Sequence, residues 1–248
     1  MSRVALVTGA GQATGRGIAQ GLASAGFAVA VNDLHPDRAD ETVRIIRDSG
    51  GSAIAVPFDC TDRAAIFASV ATVAAELGPV DVLVNNAGVP ETWNRAPFIE
   101  SDPATWAAQF DLNLFGNMHT IQAVAPSMVE RGWGRVIQIS SGSAATGQNI
   151  GVALYAAAKA GIEGLLRHVA SELGPTGVTV NTLALGVQQN VLERGPSDGV
   201  GAIVRGIPVR RAGTPAEVAA AVQWLASDDA GYVTGQVIHL NGGSFNGR

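Results

Sequence analysis

Hydrophobic positions along this chain fall into short β-branched runs separated by longer stretches of helical period, and the two kinds alternate from end to end. The strand candidates are Val4 to Val7, Phe27 to Asp33, Ala53 to Val56, Val82 to Val84, Arg135 to Ser140, Val178 to Asn181 and Gln236 to Leu240. Helical patterning covers 16–25, 37–49, 62–77, 103–130, 152–174 and 215–227. Such alternation predicts an α/β fold, doubly wound, with a parallel sheet and helices on both faces. Asp102-Pro103 and Thr214-Pro215-Ala216-Glu217 read as helix starts, a capping side chain followed by proline at the first helical position. Pro126 is expected to kink the long fourth helix. From Gly186 to Pro208 the period is lost and glycines recur at 195, 199, 201 and 206, which reads as a mobile loop or lid near a site, here taken as a substrate loop at 186–208.

Composition narrows the picture. A chain of 248 residues fits one large α/β domain or two small ones, and no break favours two, so 1–248 is read as a single domain. A formal charge of −5 gives no electrostatic reason to expect nucleic acid or an anionic membrane surface as partner. No apolar run reaches membrane-spanning length, and the run after Met1-Ser2-Arg3 is too short for a signal-peptide core. The one cysteine, Cys60, excludes an intramolecular disulfide and suits a reducing compartment, hence an expected cytoplasmic location. Four histidines, at 35, 119, 168 and 239, show no ligand spacing, so no metal is expected; His239 reads as a satisfied structural residue. Trp106 and Trp224 read as packing.

The candidate chemistry begins with Tyr155-Ala156-Ala157-Ala158-Lys159. In an alanine-rich helix this spacing puts phenol and amine on one face. Lowering a phenol by about 3 pKa units requires about 4 kcal/mol, and one ammonium at about 5 Å in an effective dielectric of about 20 supplies about 3 kcal/mol. A lysine in this register therefore suits a tyrosine that works as acid and base.

A second feature sits at the other end of the chain. The first strand runs into Thr8-Gly9-Ala10-Gly11-Gln12-Ala13-Thr14-Gly15 and then a helix, the context in which backbone amides meet a pyrophosphate. Key positions are 9, 13 and 15, with Ala13 where a glycine is usual. Asp33 ends the second strand 18 residues after Gly15, where an acid takes ribose hydroxyls and repels a 2′-phosphate, so NAD is expected over NADP; Arg38 is the rival feature, within reach of a phosphate. Asp59 is placed either to meet an adenine amine or to cap a helix, with Cys60 beside it as a small apolar residue.

Together with Asn85-Asn86-Ala87-Gly88, Ser140-Ser141, and Thr234-Gly235-Gln236 and Asn241-Gly242-Gly243 near the end, these motifs resemble the short-chain dehydrogenase/reductase family over essentially the whole chain. The resemblance implies a Rossmann-like domain with a seven-stranded parallel sheet, in a dimer or tetramer built on the two long helices. It implies NAD(P)-dependent interconversion of a secondary alcohol and a ketone. Tyr155 would be the acid/base and Lys159 its neighbour on the nicotinamide ribose. Ser141 would hold the substrate oxygen, with Ser140 and Ser143 as alternatives, and Asn113 would anchor a water that links Lys159 to solvent. The cofactor would meet Gly9, Gln12, Ala13, Thr14, Gly15, Asp33, Asp59, Cys60, Asn86, Ala87, Gly88, Gly186 and Gln188; Trp93, Ser143, Gln148, Leu185 and Val191 would line the substrate side.

Three departures from the family pattern stand out. Ser141 lies 14 residues before Tyr155, one more than usual; Leu185 stands where proline precedes Gly186; and Val187-Gln188-Gln189-Asn190 replaces the segment that grips the nicotinamide amide, with Asn190 for a threonine. Within the family a 3-oxoacyl thioester reductase is one alternative, against which Thr176 stands where reductases acting on acyl carrier protein commonly carry arginine. The others are a non-catalytic NAD-binding regulatory protein and a halohydrin-type lyase.

Overall fold

The structure, a computed structural model, describes residues 2–89, 95–147, 149–192 and 204–245, the side chains of residues 191 and 192 excepted. Seven parallel strands form one sheet in the order β3-β2-β1-β4-β5-β6-β7. They are β1 Val4–Val7, β2 Ala28–Val31, β3 Ser52–Ala55, β4 Val80–Asn85, β5 Gly134–Ser141, β6 Val178–Leu185 and β7 Val237–Leu240. The expected Phe27 to Asp33 strand is shorter, and beyond its end the side chains of Asn32 and Asp33 bond the turn after β1. β5 and β6 run further than expected, to Ser141 and Leu185, and Leu185 pairs with both Ser141 and Leu240. Order reverses between β1 and β4, and an open parallel sheet offers its ligand crevice at the strand ends there.

Alternation along the strands divides the core. Val4 and Leu6 of β1 enter one cluster with Ile66, Ile121, Ile162 and Leu166, while Ala5 and Val7 enter the other with Ile18, Leu22, Val218 and Val222. The first layer is built by α3 (Arg63–Glu76), α5 (Asn117–Arg131) and α6 (Ala153–Leu173), the second by α1 (Ala13–Ser24), α2 (Pro36–Asp48) and α8 (Pro215–Ala226). Close approach of α1 to α8 needs small residues: a Cβ on Gly21 would lie 2.7 Å from Ala219 Cβ, and one on Gly17 would lie 2.5 Å from Pro215 Cβ. Gln223 Nε2 then donates to Gly21 O at 2.6 Å. α8 starts at the expected residue, with Thr214 and Glu217 forming a reciprocal capping box.

The helix expected over 103–130 is four pieces: a 3₁₀ turn Pro103–Thr105 capped by Asp102, α4 Trp106–Phe110, a π-helical turn Asp111–Gly116, and α5. The irregularity therefore falls at 111–116, and α5 passes through Pro126 without interruption. Periodicity does not register one additional residue in a single turn. Gly116 is pressed onto the loop after β3, where a Cβ would meet Cys60 O at 2.3 Å. Between Gly186 and Pro208, the short helix α7 (Gln189–Leu192) is described, and residues 193–203 lie outside the described set.

Two smaller expectations need correction. Among the described residues His239 Nδ1 is buried without a hydrogen-bond partner, the ring being held edge-on by Phe245 at 5.1 Å. Trp224 is 44% exposed rather than packed away, whereas Trp106 does pack, stacked on Phe98 with its Nε1 donating to Ser101. No helix among the described residues is long and apolar enough to cross a membrane.

Candidate active site

Strand ends of β1, β2, β4, β5 and β6 open into one cleft of about 880 Å³. It is lined by Gly9, Gln12, Ala13, Thr14, Gly15, Asp33, Asp59, Cys60, Asn86, Ala87, Gly88, Ser141, Ser143, Tyr155, Lys159, Leu185, Gly186 and Gln188, so residues spread over most of the chain meet in one place. Asn113 lies behind its wall. Trp93 and Gln148, and the side chain of Val191, fall outside the described residues.

The glycine-rich turn is built by polar clamps. Thr8 Oγ1 accepts from Asn86 N and Ala87 N, and Asn86 Nδ2 donates to Thr8 O and Gly9 O. Asn86 thus ties the end of β4 to the turn. Asn32 makes the matching tie from β2, accepting from Gly9 N and donating to Val56 O and Phe58 O. Gly15 has no room for a side chain, since a Cβ would lie 2.1 Å from Gly9 O. Ala13 takes the glycine position of the motif at φ 48°, in the left-handed region, where a Cβ carries a steric cost.

Asp33 is buried, with Oδ2 accepting from Gly11 N at 3.0 Å and Oδ1 from His35 N at 3.1 Å. A Cβ on Gly11 would sit 2.6 Å from that Oδ2, so backbone and carboxylate are closely matched. Asp59 is exposed and bonds the amide and hydroxyl of Thr61; the α3 cap is Asp62 instead. Cys60 is buried, its thiol against Asn32 Oδ1 and pushed up to about 12 by burial, as an inert small residue would be.

At the other end of the cleft, strand alternation separates the two serines. Ser140 turns away and donates to Glu163 Oε1 at 2.5 Å. Ser141 faces the cleft, hydrogen-bonds the Tyr155 phenol and accepts from Ser143 N. The longer spacing between Ser141 and Tyr155 still brings the two hydroxyls together.

Electrostatics at the pair differ from the sequence estimate. Burial raises the Tyr155 phenol above its ordinary value, opposed by the Ser141 hydrogen bond. Lys159 Nζ lies 5.7 Å from the Tyr155 ring centroid and donates to Ile139 O at 2.9 Å, so its charge is turned toward the strand. It is not the dominant influence on the phenol. Burial lowers Lys159 itself to about 8, opposed by the Glu163 carboxylate one helical turn on. In the free protein near neutrality Tyr155 therefore carries its proton.

Sequence reasoning missed Asn32, Glu163 and Gln109. All three are buried polar residues in otherwise apolar surroundings, which is the signal that was available.

The fit to a dinucleotide can be judged from the cleft itself. Gly9, Gly15 and Gly88 all line the cleft, and at Gly88 a Cβ would lie 2.9 Å from both Asn113 Oδ1 and Lys159 Nζ. Beyond Gly186, Gln188 Oε1 and Asn190 Oδ1 are buried acceptors with no donor among the described residues, in the segment expected to face a nicotinamide amide. Unmatched buried acceptors cost about 1–3 kcal/mol each, so a ligand group with N–H donors suits them. No cluster of metal-ligating side chains occurs among the described residues.

The chain is similar to several known proteins. The family described as enoyl-(acyl carrier protein) reductase matches over residues 9–244. The short-chain reductase protein NovJ of Streptomyces niveus is 41% identical, covering 97% of this chain and 93% of that protein. Acetoacetyl-CoA reductase of Rhizobium meliloti is 38% identical over 99% of each. A solved structure of gluconate 5-dehydrogenase from Burkholderia cenocepacia, in complex with NADP and tartrate, superposes with a TM-score of 0.91 at 33% identity, covering 98% of this chain and 96% of that one.

Proposed function

This chain belongs to the short-chain dehydrogenase/reductase family, and we propose that it works as an NAD-dependent ketone reductase with Tyr155 as the proton donor. One observation carries the reading: the Ser141 hydroxyl hydrogen-bonds the Tyr155 phenol inside the cleft, so a carbonyl oxygen set against Ser141 lies within reach of the phenol proton. A reduced nicotinamide nucleotide, held at its pyrophosphate by the turn at residues 9–15, would supply the hydride. The Ser141 hydroxyl meets the carbonyl oxygen, and Tyr155 delivers its proton as negative charge grows there, so no alkoxide forms without support. Lys159, fixed by Ile139 O, keeps a positive charge behind the phenol as the proton leaves. In the reverse direction the same residues oxidise a secondary alcohol, and burial makes the required phenolate the less accessible state.

Asp33 supports NAD over NADP, because its buried carboxylate occupies the position where a 2′-phosphate would need a cation. Arg38 lines the same end of the cleft and is the residue that argues the other way. A thermal-shift series with NAD, NADH, NADP and NADPH decides between them; the larger shift is expected with NAD and NADH, and preference for the phosphorylated pair overturns the Asp33 argument. The preferred reduced nucleotide is then run against simple ketones and 3-oxoacyl thioesters. Turnover of the thioesters is favoured by the acetoacetyl-CoA reductase relative. Absence of any cofactor oxidation across the panel overturns the proposal and leaves nucleotide sensing.

We also infer a homo-oligomer: Phe115 and Val129, along the long helical segment, are 46% and 37% exposed, apolar area that a second copy would cover. Light scattering tests it.

A further inference from the structure

Asn113 is buried completely, on the π-helical turn behind the cleft. Its Nδ2 donates to Gln109 O at 3.1 Å and to Gln109 Oε1 at 3.4 Å, while its Oδ1 has no partner among the described residues. That oxygen and Lys159 Nζ flank the same point beside Gly88. A carboxamide is nearly symmetric in shape, so which end faces a neighbour is decided by the partners it meets. Gln109 offers Asn113 two acceptors on one side. Only the NH₂ end satisfies them, which leaves the oxygen on the Gly88 side, where Lys159 Nζ also lies.

Gln109 is itself out of place by composition, a buried amide between the apolar residues Ala108 and Phe110. A long polar side chain in such a position carries a desolvation cost unless it is bonded. Its other neighbour is a second cavity of about 150 Å³, which it lines together with Tyr155, Glu100, Ser101, Asp102 and Thr105. That space has room for several water molecules, with polar groups to bond them. Glu100 and Asp102 are exposed, so the cavity reaches the surface.

We propose that Gln109 is a positioning residue of the reduction: it locks the Asn113 carboxamide with its oxygen on the Lys159 side, beside a polar cavity from which the proton spent by Tyr155 is replaced. The inference rests on the reductase reading. Each turnover takes one proton from Tyr155 to the product hydroxyl, and one proton from solvent must return to the phenolate. Gln109 touches neither substrate nor cofactor and acts through Asn113.

The test is a double-mutant cycle with Gln109→Leu, Asn113→Ala and both together, read as kcat and KM across pH. Gln109→Leu is expected to lower kcat about tenfold while both KM values stay within about twofold, with the loss growing as pH rises and protons become scarce. The double variant is expected to be no slower than Asn113→Ala alone. Gln109→Glu, which keeps an acceptor for Nδ2, is expected to recover most of the rate. If thermal melting shows Gln109→Leu unfolded, Gln109→Met takes its place in the cycle. Unchanged kcat in Gln109→Leu, or losses that multiply in the double variant, overturns the proposal while leaving the reductase reading intact. A wild-type protein that binds cofactor but reduces no ketone overturns both.

Discussion

The two ends of the parallel sheet are both polar, yet they are finished differently. At the N-terminal end of the strands, Trp133 is held between Arg3 and Arg135, whose guanidinium carbons lie 3.8 and 4.2 Å from its ring centroid. Its Nε1 donates to Asp228 Oδ1, which also meets Arg3 at 3.0 Å. Arg135, although buried, bonds Gly134 O, Gly177 O and Ser227 O. Every donor that matters there has an acceptor. At the C-terminal end, Asn113 Oδ1, Gln188 Oε1 and Asn190 Oδ1 are buried acceptors without a donor among the described residues, and Lys159 is depressed to about 8 by its burial. Closed hydrogen-bond accounts mark the end that holds the fold; open ones mark the end that holds something else.

This contrast can be broken most sharply at Tyr155. Tyr155→Phe is expected to lower kcat by about a thousandfold or more with nucleotide binding and melting temperature nearly unchanged, as seen by steady-state kinetics beside thermal shift. The mirror experiment is Arg135→Ala, which removes three bonds to backbone carbonyls and the stack on Trp133. At about 1 kcal/mol per bond it should cost about 3 kcal/mol in urea unfolding while kcat stays at the wild-type level. Residual activity in the first, or loss of kcat without loss of stability in the second, erases the distinction between the two ends.

Lys159 gives a prediction in pH. Its folded value, about 8, lies below its ordinary 10.5, so the unfolded chain binds more protons between the two. The contribution of this group to stability therefore rises with pH across that window and is flat below it. Ketone reduction is expected to move oppositely, falling by about tenfold for each pH unit above about 8 as the ammonium is lost. A pH profile with no limb near 8, in a variant series where Glu163→Gln also fails to move it, would remove Lys159 from the proposed mechanism.

The smallest effect is expected at Ala13. Its left-handed backbone costs about 1–2 kcal/mol, and replacing it by glycine gives back about 0.5–1 kcal/mol through the freer unfolded chain. Ala13→Gly should thus stabilise by up to about 1 kcal/mol, measured by thermal melting of the nucleotide-free protein. A lower melting temperature means that the methyl group packs against something that matters more than its φ of 48°.

Much of this was legible before any coordinates. All seven strands coincide with short β-branched runs, and the helix at Pro215 starts at its capping residues, because burial and hydrogen-bond geometry act locally there. Tyr155, Lys159, Ser141 and the glycine turn were legible through their spacing, and the cleft brings them together. What was not legible depends on contacts across the chain. The turn at Asp111–Gly116 widens where Gly116 meets Cys60 O, a neighbour distant in sequence. The direction of the Tyr155 shift follows from desolvation, which no spacing reveals. Trp224 looks apolar in sequence and stands half exposed, since a sequence does not state which face of a helix is covered.

The glycine-lined seam between α1 and α8 has a consequence for how the protein is made. Ile18 and Leu22, on the helix that opens the nucleotide site, are covered by Val218, Val222 and Leu225, roughly two hundred residues later. On a ribosome the strands of the nucleotide-binding half emerge first, and their helix waits with an apolar flank exposed until α8 follows. The nucleotide half is therefore the first to be synthesised and among the last to be sealed, so a nascent chain arrested before residue 215 should be a substrate for chaperones rather than for dinucleotides.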